Sequence, residues 1–226
     1  MTPAVVPARG VGLVVFDCDG VLVDTERIGP AVVAELATEA GWPLTPDEVR
    51  DRFLGRPESY LYAQVRAHAR TPLGPEWLEL YRTRVRDAFT ARPFTMPGVR
   101  ELLDALDARQ LPYCVASSGG HDRIEHSLTV TGLWNRFAGR VFSADDVPHG
   151  KPAPDLFLHA ARTLAVPPAA CLVIEDSPAG VTAALAAGMP VIGYTGGPTP
   201  REALAHASHG VVDDLGVLLE EGPNSL

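Results

Sequence analysis

The chain has 226 residues, of which 46% are hydrophobic and 21% charged, and its 19 basic and 28 acidic side chains leave a formal net charge of −9. This composition suits one α/β domain carrying an insertion, or two modest domains, and excludes a disordered chain. The acidic balance repels nucleic-acid phosphates and anionic lipid, yet a small anionic substrate needs only a few well-placed cations.

In chain order, the first element is a β-branched apolar run at Val11–Phe16, read as a buried strand. From about Glu26 to Arg92 the pattern turns helical. Helices are expected at Pro30–Ala40, Pro46–Phe53, Ser59–His68 and Pro75–Phe89, divided by turn signals at Gly41–Pro43, Gly55–Pro57 and Thr71–Pro75. Beyond Met96-Pro97-Gly98, strands at Tyr113–Ala116, Val141–Phe142, Cys171–Ile174, Val191–Tyr194 and Gly210–Val212 alternate with helices. Those helices are expected at Val99–Arg109, Arg123–Thr131, Asp155–Leu164, Ala179–Ala187 and Arg201–His206. Such alternation predicts an α/β fold, a doubly wound and mostly parallel sheet. The expected division is an α/β core at 1–24 and 93–226 and an inserted all-helical cap at 25–92.

Cys18, Cys114 and Cys171 are odd in number, far apart and embedded in apolar runs, so they read as buried thiols rather than a disulfide or zinc framework. No stretch is long and apolar enough to span a membrane, and no signal-peptide pattern opens the chain. No membrane and no nucleic acid are expected as partners, and the expected setting is cytoplasmic.

Four places carry chemistry. The first strand runs into Asp17-Cys18-Asp19-Gly20. Carboxylates at the end of a buried strand are costly unless something neutralises them, and oxygen ligands of this kind suit Mg²⁺. Read alone, Asp19-Gly20 is equally a turn. The second strand ends in Ser117-Ser118-Gly119-Gly120, where a hydroxyl and backbone N–H groups can cradle an anion or simply cap a helix. Lys151, the sole lysine of the sequence, stands in Gly150-Lys151-Pro152-Ala153-Pro154, rigid flanks that suit a positioned charge. A later strand ends in Glu175-Asp176, followed by Ser177 as an N-cap and Pro178 at the first helical position.

In this order and spacing the four motifs resemble the haloacid dehalogenase-like (HAD) superfamily of phosphohydrolases, in the branch of β-phosphoglucomutase-like proteins and sugar-phosphate phosphatases. The resemblance runs from about Val11 to Val212. It implies that Asp17 is a nucleophile forming an aspartyl-phosphate and Asp19 a general acid and base whose backbone carbonyl also ligates Mg²⁺. It further implies that Ser117 and Ser118 hold phosphoryl oxygens, that Lys151 neutralises charge, and that Glu175 and Asp176 complete a metal set with Asp17. The implied partner is a small phosphorylated metabolite, and a monomer or weak homodimer is expected.

Departures from the family narrow the activity. The mutases carry a histidine twelve residues after the nucleophile, where this chain has Gly29, and they use a cap lysine that this chain lacks. The missing cap lysine also argues against phosphonate cleavage, and the presence of Asp19 against dehalogenation. Plain hydrolysis is therefore expected, with a β-phosphoglucomutase-like hexose-phosphate mutase and a non-enzymatic phospho-accepting domain as the alternatives. Substrate contacts are expected from Arg56 and Glu26. The run from Asp17 to Glu26 followed by Phe53-Leu54-Gly55 resembles phosphatases of sugar phosphates and of sugar-acid phosphates such as 6-phosphogluconate.

Overall fold

A computed structural model describes residues 10–25, 27–53 and 58–218. It divides into two compact units, one running to Asp24 and resuming at Thr95, the other spanning Thr25–Phe94.

The first unit is built on β1 (Leu13–Phe16), whose four side chains are wholly buried. A strand covered on both faces cannot alternate apolar with polar, which is why Leu-Val-Val-Phe is unbroken. The second unit is helical: α1 (Gly29–Glu39), α2 (Pro46–Phe53), α3 (Glu58–His68) and α4 (Glu76–Ala91). Its own core gathers Val32, Val33, Leu36, Leu61, Val65 and Trp77, with Trp77 stacked on Tyr81 at 5.9 Å between ring centroids. The α2 helix starts where Thr45 and Glu48 cap each other: the Thr45 N–H donates to Glu48 Oε2 at 2.8 Å, and the Glu48 N–H donates to Thr45 Oγ1 at 3.2 Å. This reciprocal arrangement satisfies two orphan donors of the first turn.

The first unit then continues through α5 (Val99–Ala108), β2 (Tyr113–Ser117), α6 (His121–Val130), α7 (Trp134–Phe137), β3 (Val141–Ser143), α8 (Asp155–Thr163), β4 (Cys171–Glu175), α9 (Pro178–Ala186), β5 (Val191–Tyr194) and β6 (Val211–Val212). The six strands form one sheet in the order β3-β2-β1-β4-β5-β6, and every pairing is parallel. The order reverses between β1 and β4, so a crevice forms at their C-terminal ends, where open α/β sheets bind ligands. Register fixes what lies there. Phe16 pairs with Val115 on one side and Ile174 on the other, so the residues that follow on all three strands emerge together.

Differences from the expected elements are confined to ends and short pieces. The α6 helix begins at His121 rather than Arg123, because Gly120 in an extended conformation serves as its N-cap. The segment expected as a helix at Arg201–His206 is a 3₁₀ turn at Arg201–Leu204. Cys18, Cys114 and Cys171 are free and buried, and burial raises the Cys171 thiol to about 11.

Candidate active site

Asp17 is placed by the sheet itself, since its N–H extends the ladder to the Ile174 carbonyl at 3.0 Å. The chain then closes into a tight loop. The N–H groups of Leu22 and Val23 donate to the Cys18 carbonyl at 2.9 and 3.0 Å, and the Gly20 N–H donates to the Val23 carbonyl at 2.8 Å. Cys18, Val21, Leu22 and Val23 anchor this loop in the core, each at most 1% exposed. Gly20 has φ +81°, and a Cβ there would stand 2.1 Å from Asp176 Oδ2. Only glycine satisfies both the left-handed backbone and the close approach. That approach brings Asp176 against the loop bearing Asp17 and Asp19.

Lys151 bridges the two strand ends. Its Nζ donates to Asp17 Oδ1 at 2.5 Å and to Glu175 Oε1 at 2.7 Å, and it lies 4.9 Å from the centroid of the Phe157 ring. The Lys151, Asp17 and Glu175 side chains are 3%, 10% and 1% exposed, so the charges are held out of water and depend on one another. Burial pushes the Asp17 carboxyl up to about 7; the Lys151 ammonium opposes the rise, while Glu175 and Asp19 add to it. For Lys151, burial acts downward, but the carboxylates of Asp17 and Glu175 outweigh it and raise its pKa.

Glu175 is itself held from behind. The N–H and Oγ of Ser177 donate to its Oε2 at 2.6 and 2.9 Å, and the Ser177 Oγ accepts from the Gly180 N–H at 3.0 Å. A Cβ on Gly180 would stand 1.6 Å from Glu175 Oε1, so the first turn of α9 makes room for this carboxylate.

On the other flank of β1, the buried Ser117 accepts the Gly119 N–H at 3.1 Å, and Ser118 is exposed. The loop is fastened to the neighbouring strand end: Ser143 Oγ donates to the Gly119 carbonyl at 2.7 Å and accepts the Asp145 N–H at 3.1 Å. Asp146 accepts the Ser143 N–H at 2.8 Å and pairs with His121 Nε2 at 2.8 Å. Burial works upward on Asp146, but His121 and the Ser143 N–H prevail and hold it below the usual carboxylate range.

Of the residues singled out from the sequence, the structure brings Asp17, Lys151 and Glu175 into direct contact. It sets Asp176 beside Gly20 and places Ser117 and Ser118 at the adjoining strand end. Arg56 and Glu26 lie outside the described residues. The sequence reading missed Arg123, whose Nη2 pairs with Asp19 Oδ2 at 3.0 Å, and missed the bracing by Ser143, Asp146 and His121. The serine that ends β3 and its Ser-Ala-Asp-Asp run, a capping signature, was the available signal for that bracing.

Among the described residues, no group of three or more His, Cys, Asp and Glu side chains gathers as a ready-made metal cluster, and the Lys151 ammonium joins Asp17 to Glu175. The donor chemistry nevertheless fits a hard divalent cation. The carboxylates of Asp17 and Glu175 flank Lys151, Asp19 pairs with Arg123, and Asp176 stands beside Gly20 of the same loop, all oxygen donors of the kind such a cation takes. Burial is the main cause of the raised Asp17 carboxyl, and the charges of Glu175 and Asp19 add to it.

Comparison with known proteins agrees with this architecture. The haloacid dehalogenase-like hydrolase family matches residues 11–188. The chain is 36% identical over 200 residues to "Probable pseudouridine-5'-phosphatase" of Drosophila melanogaster, covering 86% of this chain and 85% of that one. It is 33% identical over 186 residues to 6-phosphogluconate phosphatase of Escherichia coli, covering 82% and 83%. The crystal structure of a HAD family hydrolase from Deinococcus radiodurans, solved with bound phosphate and sodium, superposes with a TM-score of 0.77 at 32% identity, covering 90% of each chain. This chain therefore belongs to the haloacid dehalogenase-like hydrolases and is, by homology, a phosphatase of that family.

Proposed function

We propose that the chain hydrolyses a small phosphate monoester through an aspartyl-phosphate on Asp17. The observation that carries this reading is the buried bridge from Lys151 to Asp17 and Glu175 at the reversal of the sheet. It presents a carboxylate nucleophile beside a fixed positive charge, on a strand whose neighbour ends in a hydroxyl- and glycine-rich loop.

In the first step an Asp17 oxygen bonds to phosphorus, the bond from phosphorus to the leaving oxygen breaks, and Asp19 gives that oxygen its proton. In the second, the Asp19 carboxylate takes a proton from water, the water oxygen bonds to phosphorus, and the Asp17–phosphorus bond breaks. Inorganic phosphate departs and Asp19 is protonated again. Ser117 and the N–H of Ser118 orient the phosphoryl oxygens, while Lys151 offsets their charge and that of Asp17. Asp17, the backbone carbonyl of Asp19, and Asp176, backed by Glu175, would hold Mg²⁺. When bound, the metal neutralises charge on the transferring phosphoryl group.

The relatives' names, a pseudouridine-5'-phosphatase and a 6-phosphogluconate phosphatase, support a sugar phosphate or sugar-acid phosphate as substrate. Arg56 and Glu26 remain the proposed selectivity residues of the helical cap, residues 25–92. A monomer or weak homodimer is the proposed assembly state. Among the described residues no helix is long and apolar enough to cross a membrane, and three buried free thiols suit a reducing, cytoplasmic setting.

The test is phosphate release across a panel of phosphorylated metabolites, with interconversion of β-glucose 1-phosphate and glucose 6-phosphate assayed in parallel. Released phosphate that disappears in Asp17→Asn is the expected result. Isomerisation that conserves esterified phosphate would instead make the protein a mutase, and stable phosphate on Asp17 without release would make it a phospho-accepting domain.

A further inference from the structure

Lys151 is committed to Asp17 and Glu175, so it does not serve the second aspartate of the loop. Asp19 lies in the same crowd of carboxylates and has a different cation beside it. Arg123, in the first turn of α6, sets Nη2 3.0 Å from Asp19 Oδ2, with the Arg123 side chain 58% and the Asp19 side chain 25% exposed. The stem of Arg123 is also located. A Cβ on Gly119 would meet Arg123 Cδ at 3.5 Å, an ordinary contact distance, so the arginine runs alongside the glycine of the anion loop on its way to Asp19. One side chain thus passes beside the loop proposed to hold the phosphoryl group and pairs with the carboxylate proposed to exchange protons with the reacting oxygens.

We propose that Arg123 is a positioning residue for Asp19. It fixes the carboxylate at the height of the anion loop, so that proton transfer to the leaving oxygen occurs in register with attack by Asp17. This rests on the phosphatase reading above. Geometry makes the role specific. Asp19 sits on a loop whose backbone is pinned by the hydrogen bonds of Cys18, Gly20, Leu22 and Val23, so its side-chain rotamer is the remaining freedom, and the guanidinium acts on that. A planar fork on a helix is better suited to hold an orientation than a flexible ammonium, and a proton donor misplaced by an ångström loses much of its effect.

The test uses two esters that share the phosphoryl group and differ in the leaving oxygen. p-Nitrophenyl phosphate expels a weakly basic phenolate that needs little protonation, whereas an alkyl phosphate such as a sugar 6-phosphate expels a strongly basic alkoxide. The readout is kcat/KM, which reports the phosphorylation of Asp17 alone. For Arg123→Ala, the expected loss is roughly 10–100-fold on the alkyl ester, within the range of general-acid catalysis, and less than about threefold on the aryl ester. Arg123→Lys should recover part of the alkyl loss. Arg123→Gln, which keeps the stem along Gly119, serves as the second variant if the alanine protein does not fold.

Equal losses of kcat/KM on both esters would overturn the proposal and make Arg123 a contact of the shared phosphoryl group, and no change at all would overturn it too. Failure of the phosphatase reading looks different: the unaltered protein would then release phosphate from neither ester.

Discussion

Asp17→Asn should abolish turnover and, in the absence of divalent cations, stabilise the protein. Burial raises the Asp17 carboxyl from its ordinary 3.8 to about 7, against the pull of Lys151. The sign follows from proton linkage. A carboxyl whose pKa is higher in the fold than in the unfolded chain is favoured while protonated. Its stability contribution is complete below about pH 4, falls as the pH rises through about 7, and levels off above that. At 1.36 kcal/mol per pH unit, the ionised carboxylate costs the fold about 4 kcal/mol at pH 8. Asparagine keeps the shape, removes that cost and leaves the Lys151–Glu175 pair in place. For a chain of this size about 1 kcal/mol moves the melting temperature by 2–4 °C. In chelator at pH 8, Asp17→Asn should therefore melt higher than the unaltered protein by about 8–16 °C, and the gap should close toward pH 4. The assay is thermal unfolding followed by circular dichroism from pH 4 to 8, with and without Mg²⁺. Mg²⁺ should raise the melting temperature of the unaltered protein and do much less for the variant. Equal melting temperatures across that range in chelator would refute the claim that burial disfavours the ionised Asp17.

The other consequences are narrower. Chelation should stop hydrolysis of p-nitrophenyl phosphate and Mg²⁺ should restore it; activity that persists in chelator would remove the metal from the mechanism. Ser143→Ala deletes the hydrogen bond to the Gly119 carbonyl, so KM and the inhibition constant of inorganic phosphate should both rise several-fold, with about 1–2 kcal/mol lost in denaturant unfolding. Gly20→Ala meets a φ of +81° and a contact of 2.1 Å with Asp176. Strain of about 1–2 kcal/mol is expected, together with at least a hundredfold loss of kcat as Asp176 is displaced. Gly180→Ala would gain about 1 kcal/mol of helix propensity, but its Cβ would fall 1.6 Å from Glu175 Oε1. The variant should therefore lose activity through a displaced Lys151 while its helical circular dichroism is unchanged.

Much of the fold is legible in the sequence because a parallel sheet buried on both faces writes each strand as an unbroken apolar run. Val191–Tyr194 is expected and found with the same ends, and Tyr113–Ala116 falls one residue short of the strand. What is not legible is short or tertiary. The four residues of α7 are too few for helical periodicity, and Phe137 belongs there because it packs edge-on against Phe16 and Tyr113. At the site, acids placed at strand exits and the only lysine can be picked out by type and position. Arg123 cannot, because its significance is a contact with Asp19, far away along the chain. Reading α6 as starting at Arg123 hid it further, since His121 and Asp122 look like loop and put the arginine at the boundary instead of inside the first turn.

The division of cations between the two aspartates has a mechanistic consequence. A nucleophile must remain a carboxylate through attack, whereas an acid–base group must lose and regain a proton in each cycle. Lys151 is buried, fixed between two acids and raised in pKa by them, so it supplies a charge that does not vary. Arg123 reaches Asp19 from a half-exposed position on α6, where water has access to the pair. Solvent screening weakens that pairing, so the arginine is suited to setting an orientation more than to supplying a buried counter-charge. Exchanging the two arrangements would leave Asp17 with a solvated partner and so under-neutralised in the core. The placement of one cation on the turn before α8 and the other on the first turn of α6 therefore suits the different work proposed for carboxylates only two residues apart.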